Sequence, residues 1–197
     1  MISVFFWGLL ASFVGSLPPG VISFTTVQHT RESGSGAGFR FAAISALLEL
    51  LHLLPAIALS HWLMSEPLIM QIFDLTAVLF FLVLGFATWY KPGQPEPKWL
   101  NFSWKRGLLI NFLNPAAIPY WLFVTTVLQT QGALPEHYSL TVYALSAAMG
   151  TFLALELYVR YADRFLNFVL NPRFPLQRII SLLFMALAAQ QLLRWLL

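Results

Sequence analysis

Six apolar stretches dominate this sequence: 2–29, 39–64, 68–90, 107–129, 140–161 and 176–197. Each approaches or exceeds the roughly 20 residues that a helix needs to cross a bilayer. A chain that must satisfy its backbone hydrogen bonds in lipid has few choices, and runs of this length select the helix. Only 10% of the residues are charged and 58% are hydrophobic, against about 25% charged in a typical soluble domain. The expected fold is therefore an all-α polytopic membrane protein, with residues 1–197 as one transmembrane domain. The first apolar run lacks a basic leader and outlasts a signal peptide, so it reads as a span.

The basic residues set the expected orientation. Arg31 and Arg40 follow the first stretch, and Lys91, Lys98, Lys105 and Arg106 follow the third. Arg160, Arg164, Arg173 and Arg178 follow the fifth, leaving only Arg194 for the other side. Ten against one predicts that these three connections are cytoplasmic and both termini outside. Asp163 and its neighbouring arginines read as a solvated cytoplasmic end. The segment 91–104 is rich in proline and aromatic residues, and Trp99, Phe102 and Trp104 suit the headgroup region. It reads as a stiff interfacial loop.

Two of the apolar runs are interrupted. "GSLPPG" at 15–20 places Pro18 and Pro19 inside the first, and "NFLNPAAIP" at 111–119 places Pro115 inside the fourth. Proline removes an N–H and displaces the carbonyl four residues earlier. At 1.5 Å per residue both breaks fall roughly 15 Å deep in a core of about 30 Å. Six spans divide as three and three, so related halves must be inverted. The expected architecture is two inverted three-helix repeats, about 1–90 and 105–197, joined by 91–104, with helices 1 and 4 broken. Such paired interruptions mark binding sites in transporters, although either alone also reads as a simple kink.

Freed backbone at the breaks supplies the expected substrate site. It comprises Gly15, Ser16, Pro18, Pro19, Gly20, Asn111, Asn114 and Pro115. A helix restarting after each break offers N–H groups and a positive dipole end to a carboxylate. Asn114 before Pro115 has the pattern of a helix N-cap. Glu49, near the middle of the second stretch, is costly in lipid and so should face the bundle interior. Ser45, Glu49 and His52 share one helical face. Desolvation favours the neutral acid, so Glu49 is expected to exchange protons, with His52 beside it. Glu156 reads either as a second coupling acid or as the i,i+4 partner of Arg160. Glu49, His52 and Glu156 form the one set with metal-ligand chemistry, and no metal or other cofactor is expected. Cysteine is absent, and neither a nucleotide loop nor a serine triad is visible, so no enzyme activity is expected. No basic stripe suggests nucleic acid.

These residues resemble a known family. "KRGLLINFLNPAAIPYW" is similar to the second-half signature of the LysE/RhtB-type amino-acid exporters. "GSLPPG" resembles the break in their first span, and Glu49 and Glu156 stand where they carry acidic residues. The resemblance implies a six-helix carrier of the bacterial inner membrane. It would be an exporter, working as a proton-coupled antiporter on an amino acid or derivative. The chain departs from the pattern in its Pro-Pro-Gly order, in Glu where Asp is commoner, and in "SALLELL" and "ALAAQQLL", so it reads as a divergent member. A cation or metal transporter on the same scaffold is the alternative, followed by a non-transport membrane scaffold or enzyme. The implied partners are a small solute, the proton gradient and the lipid bilayer. A homodimer suits this size, and nothing in the sequence marks its interface.

Overall fold

The computed structural model describes residues 1–18, 20–90, 103–114, 117–134 and 140–169, then 178, 181–182, 184–186, 188–189 and 192–193. Eight helices are delimited: α1 Ile2–Ser16, α2 Val21–Ser33, α3 Ser35–Ser65, α4 Pro67–Tyr90, α5 Trp104–Phe112, α6 Ala117–Thr130, α7 Leu140–Arg160 and α8 Ala162–Val169. Among the described residues there is no strand. α3 and α7 are each long and apolar enough to cross a membrane. The pairs α1–α2 and α5–α6 meet the same test together, bent by 76° and 48° at their breaks. The chain is an all-α multi-pass membrane protein. α4 matches the third expected span, whereas 176–197 is described only at scattered helical positions.

Side-chain placement follows lipid rather than water. α1 exposes Ile2, Phe6, Trp7 and Leu10 while burying Val4, Gly8 and Ser12. α3 exposes Leu47, Leu51 and Leu54 and buries Ser45, His52 and Ser60. An apolar exterior around small and polar contacts is the packing rule of membrane helices, where close approach replaces the hydrophobic drive.

Two compact units emerge. The first joins Met1–His61 with Lys98–Phe165, and the second joins Trp62–Pro97 with Leu166–Leu197. Each unit therefore draws on both sides of the 91–104 segment. In the first, α1 packs along α7, and α2 packs on α5 and α7. Glycines make the α1–α7 approach possible. A Cβ at Gly150 would stand 2.3 Å from the Leu9 carbonyl, and one at Gly8 would stand 2.1 Å from Ser146 Oγ. In the second unit, Ser181 Oγ donates to the Gly85 carbonyl at 2.6 Å. Phe81 there stacks on Phe184 with centroids 6.2 Å apart.

The connections are tighter than hydropathy suggests. α2 and α3 are separated by Gly34 alone, whose φ of 85° lies in the left-handed region. α6 ends in a Schellman motif at Gly132, φ 69°. Its N–H bonds the Gln129 carbonyl, and the Ala133 N–H bonds that of Leu128. The stretch after Arg160, expected as a solvated end, forms α8 and leaves Asp163 and Arg164 exposed.

Candidate functional site

At the first break, α1 stops at Ser16 and α2 restarts from Gly20, its N-cap. The Leu17 N–H bonds the Val14 carbonyl at 3.3 Å, taking up a group that a proline at 18 would leave free. The Gly20 N–H donates to Ser23 Oγ at 2.8 Å, and the same hydroxyl lies 2.9 Å from the Gly20 carbonyl. The Leu17 carbonyl accepts from the Tyr158 hydroxyl of α7. Ser12 and Ser16 both approach Thr151 Oγ1, at 2.6 and 3.3 Å.

The second break is resolved similarly. α5 stops at Phe112, and the Asn114 N–H closes onto the Asn111 carbonyl at 3.1 Å. The Asn114 carbonyl accepts the Ala117 N–H at 3.3 Å, the i→i+3 pattern of a helix start. His52 Nε2 lies 3.1 Å from the Phe112 carbonyl. A carbonyl only accepts, so Nε2 carries the proton and His52 caps the end of α5. Its Nδ1 is buried and has no partner among the described residues. Asn111, also buried, points its Nδ2 at the Ser45 carbonyl across 3.5 Å.

The two broken spans meet. Tyr120, one turn beyond the second break, donates its hydroxyl to the Ala11 carbonyl at 2.7 Å. Its ring covers Gly15, where a Cβ would stand 2.5 Å from the Tyr120 oxygen. Glu49 accepts a hydrogen bond from Trp121 Nε1. Trp121 is fully buried and meets Tyr143 edge-on, with centroids 6.1 Å apart.

The expected residues thus distribute in three ways. Gly15, Ser16, Gly20, Asn111 and Asn114 lie at or beside the breaks, and Glu49 and His52 lie on the face of α3 that meets α5 and α6. Pro18 sits in the first break, while Pro19 and Pro115 fall outside the described residues. Glu156 pairs instead with Arg160, whose Nε lies 2.8 Å from its carboxylate. Among the described residues, no three His, Asp or Glu side chains come together as a metal site. Sequence reasoning missed Tyr120, Trp121, Thr151 and Tyr158. Tyr120 and Trp121 close the quoted stretch "NFLNPAAIPYW", so adjacency to the break was the available signal.

Broken apolar helices with freed backbone turned onto neighbouring helices are a feature that transporters use to build binding sites. The family model of the LysE type translocators matches residues 13–194. The chain belongs to that family, whose members are transporters and commonly export amino acids. No curated protein and no solved structure matches.

Proposed function

We propose that this chain exports a small amphoteric solute, an amino acid or derivative, by proton-coupled alternating access across the bacterial inner membrane. The observation that carries the reading is the meeting of both breaks, through Tyr120 on Gly15, within a unit that also holds Glu49 against Trp121. The N-termini of α2 and α6 offer N–H groups to a carboxylate. Glu49 offers a counter-charge to an ammonium. Ammonium and proton compete for that carboxylate, so loading one requires release of the other. This exclusivity couples export to the proton gradient. The two halves act as inverted repeats, with the three basic connections cytoplasmic. Glu156, tied to Arg160, forms part of the cytoplasmic end of the pathway.

Two contacts support the inverted relation. The first break is capped from α7 by Tyr158, and the second from α3 by His52. A two-fold axis that exchanges the first and fourth spans also exchanges the second and fifth, which is this crosswise pattern. The test is efflux of amino acids from proteoliposomes under an imposed pH gradient. Wild-type protein should export at least one amino acid faster when the gradient is present. Glu49→Gln should retain binding of the carboxylate end and lose the gradient dependence. Unchanged gradient dependence in Glu49→Gln would remove Glu49 from the mechanism.

A further inference from the structure

A second polar feature lies apart from the breaks, where α2, α7 and α8 converge. A cleft of ≈ 590 Å³ is lined by Thr30, Arg31, Arg160, Tyr161, Asp163 and Arg164 among others. Three guanidinium groups face one carboxylate within this lining. Arg31 Nε pairs with Asp163 Oδ1 at 3.1 Å, both well exposed. Arg160 is held by Glu156 from the preceding turn. Arg164 has no carboxylate partner among the described residues, and its guanidinium lies over the Tyr161 ring, 5.9 Å from the centroid. The cleft therefore carries net positive charge, with one cation left uncompensated.

Its depth is set by its neighbours. Arg160 ends α7, a membrane-length helix, so the cleft lies at headgroup level. α8 follows immediately and is strongly amphipathic. Its Phe165 turns inward onto Tyr158 and Phe24, at 4.6 and 5.7 Å between centroids, while Asp163 and Arg164 stay exposed. That is the arrangement of a helix lying in the interface. Leu157 and Tyr161 expose an apolar strip directly beside the cationic cleft. A phosphate with an attached acyl chain would satisfy both features, whereas a free anion would use only the first.

We infer that this cleft binds the phosphate of an anionic phospholipid, with Arg164 as its principal contact and Arg31 and Arg160 flanking it. Asp163 is a built-in competitor, holding Arg31 when the site is empty. The inference is independent of which solute the protein carries.

The test is native mass spectrometry of the full-length protein in detergent, titrated with phosphatidylglycerol or phosphatidylcholine of the same chain length. Phosphatidylglycerol should be retained preferentially. Arg164→Gln should weaken that retention about fivefold, the worth of one arginine near an anionic surface. Asp163→Asn should strengthen it, a gain that simple damage to the fold would not produce. Equal retention of the two lipids, or unchanged retention in both variants, overturns the proposal. Inorganic phosphate that displaces phosphatidylglycerol at equal concentration also overturns it, because the cleft would then be a general anion site.

Discussion

Gly150→Ala tests the packing that holds the first break in place. The added methyl would lie 2.3 Å from the Leu9 carbonyl, 2.9 Å from the Phe13 nitrogen and 2.9 Å from Ser12 Cβ. Two of these neighbours are α1 backbone, so no rotamer change relieves them. α1 would have to retreat by about 1 Å to restore ordinary contact, judged from the 2.3 Å approach. The same retreat carries the 2.6 Å Ser12–Thr151 bond past the roughly 3.0 Å limit of a good hydroxyl pair. Two effects oppose one another. Alanine is the better helix former by about 1 kcal/mol, while overpacking costs about 1–3 kcal/mol. Because the clash is with backbone, the upper end applies, leaving a net loss of about 2 kcal/mol. For a chain of this size that is a fall of about 4–8 °C in melting temperature. The assay is thermal unfolding of the purified protein in detergent, followed by fluorescence-detected size exclusion. Gly36→Ala is the control, since a Cβ there meets nothing within 4 Å. It should melt at or slightly above wild type. If Gly150→Ala also melts at or above wild type, the close α1–α7 approach is wrong.

Three further tests probe the breaks and the acids. His52→Gln keeps a donor for the Phe112 carbonyl and should melt near wild type, whereas His52→Ala strands that carbonyl and should lose about 1–3 kcal/mol in the same assay. A double-mutant cycle of Trp121→Phe with Glu49→Gln should give a coupling of at least about 1 kcal/mol, and additive effects would mean that the indole does not hold the carboxylate. Glu156→Gln should cost no more than about 1 kcal/mol of stability, as its partner Arg160 is largely exposed. Gradient-driven efflux should persist in that variant, and its loss would promote Glu156 to a coupling acid.

The parts of this fold that were legible in the sequence are those written in backbone chemistry. Pro18 and the Asn114–Pro115 pair announced interruptions because proline cannot donate and cannot sit inside a helix unchanged. The structure interrupts both spans there, α1 ending at Ser16 before α2 starts at Val21 and α5 ending at Phe112 before α6 starts at Ala117. Glu49 was legible because a carboxylate on an apolar helix has to turn inward. Helix ends were less so. Hydropathy reports where the apolar surface stops, and hydrogen bonding runs on beyond it, so α2 continues to Ser33 and α3 begins at Ser35. α8 escaped notice because eight residues that carry Asp163 and Arg164 look like a polar connection. Partner choice was least legible of all. α1 and α7 are apolar almost all round, so no periodicity singles out the side carrying Ser12 or Thr151. Tyr158 and Trp121 read as two aromatics among many, and only the packing turns one onto Leu17 and the other onto Glu49.

The crosswise capping has a consequence for how the protein is made. The polar groups at the end of α1 find their partners on α7, 141 residues later for Leu17 and Tyr158 and 139 for Ser12 and Thr151. Synthesis at about 5–20 residues per second separates these partners by roughly 7–28 s. Throughout that interval the first span is in or near the membrane with its Leu17 carbonyl unserved. Something else must supply those hydrogen bonds meanwhile, whether water, headgroups or the insertion machinery itself. The arrangement that caps the first break from α7 thus also makes the first span wait for the fifth.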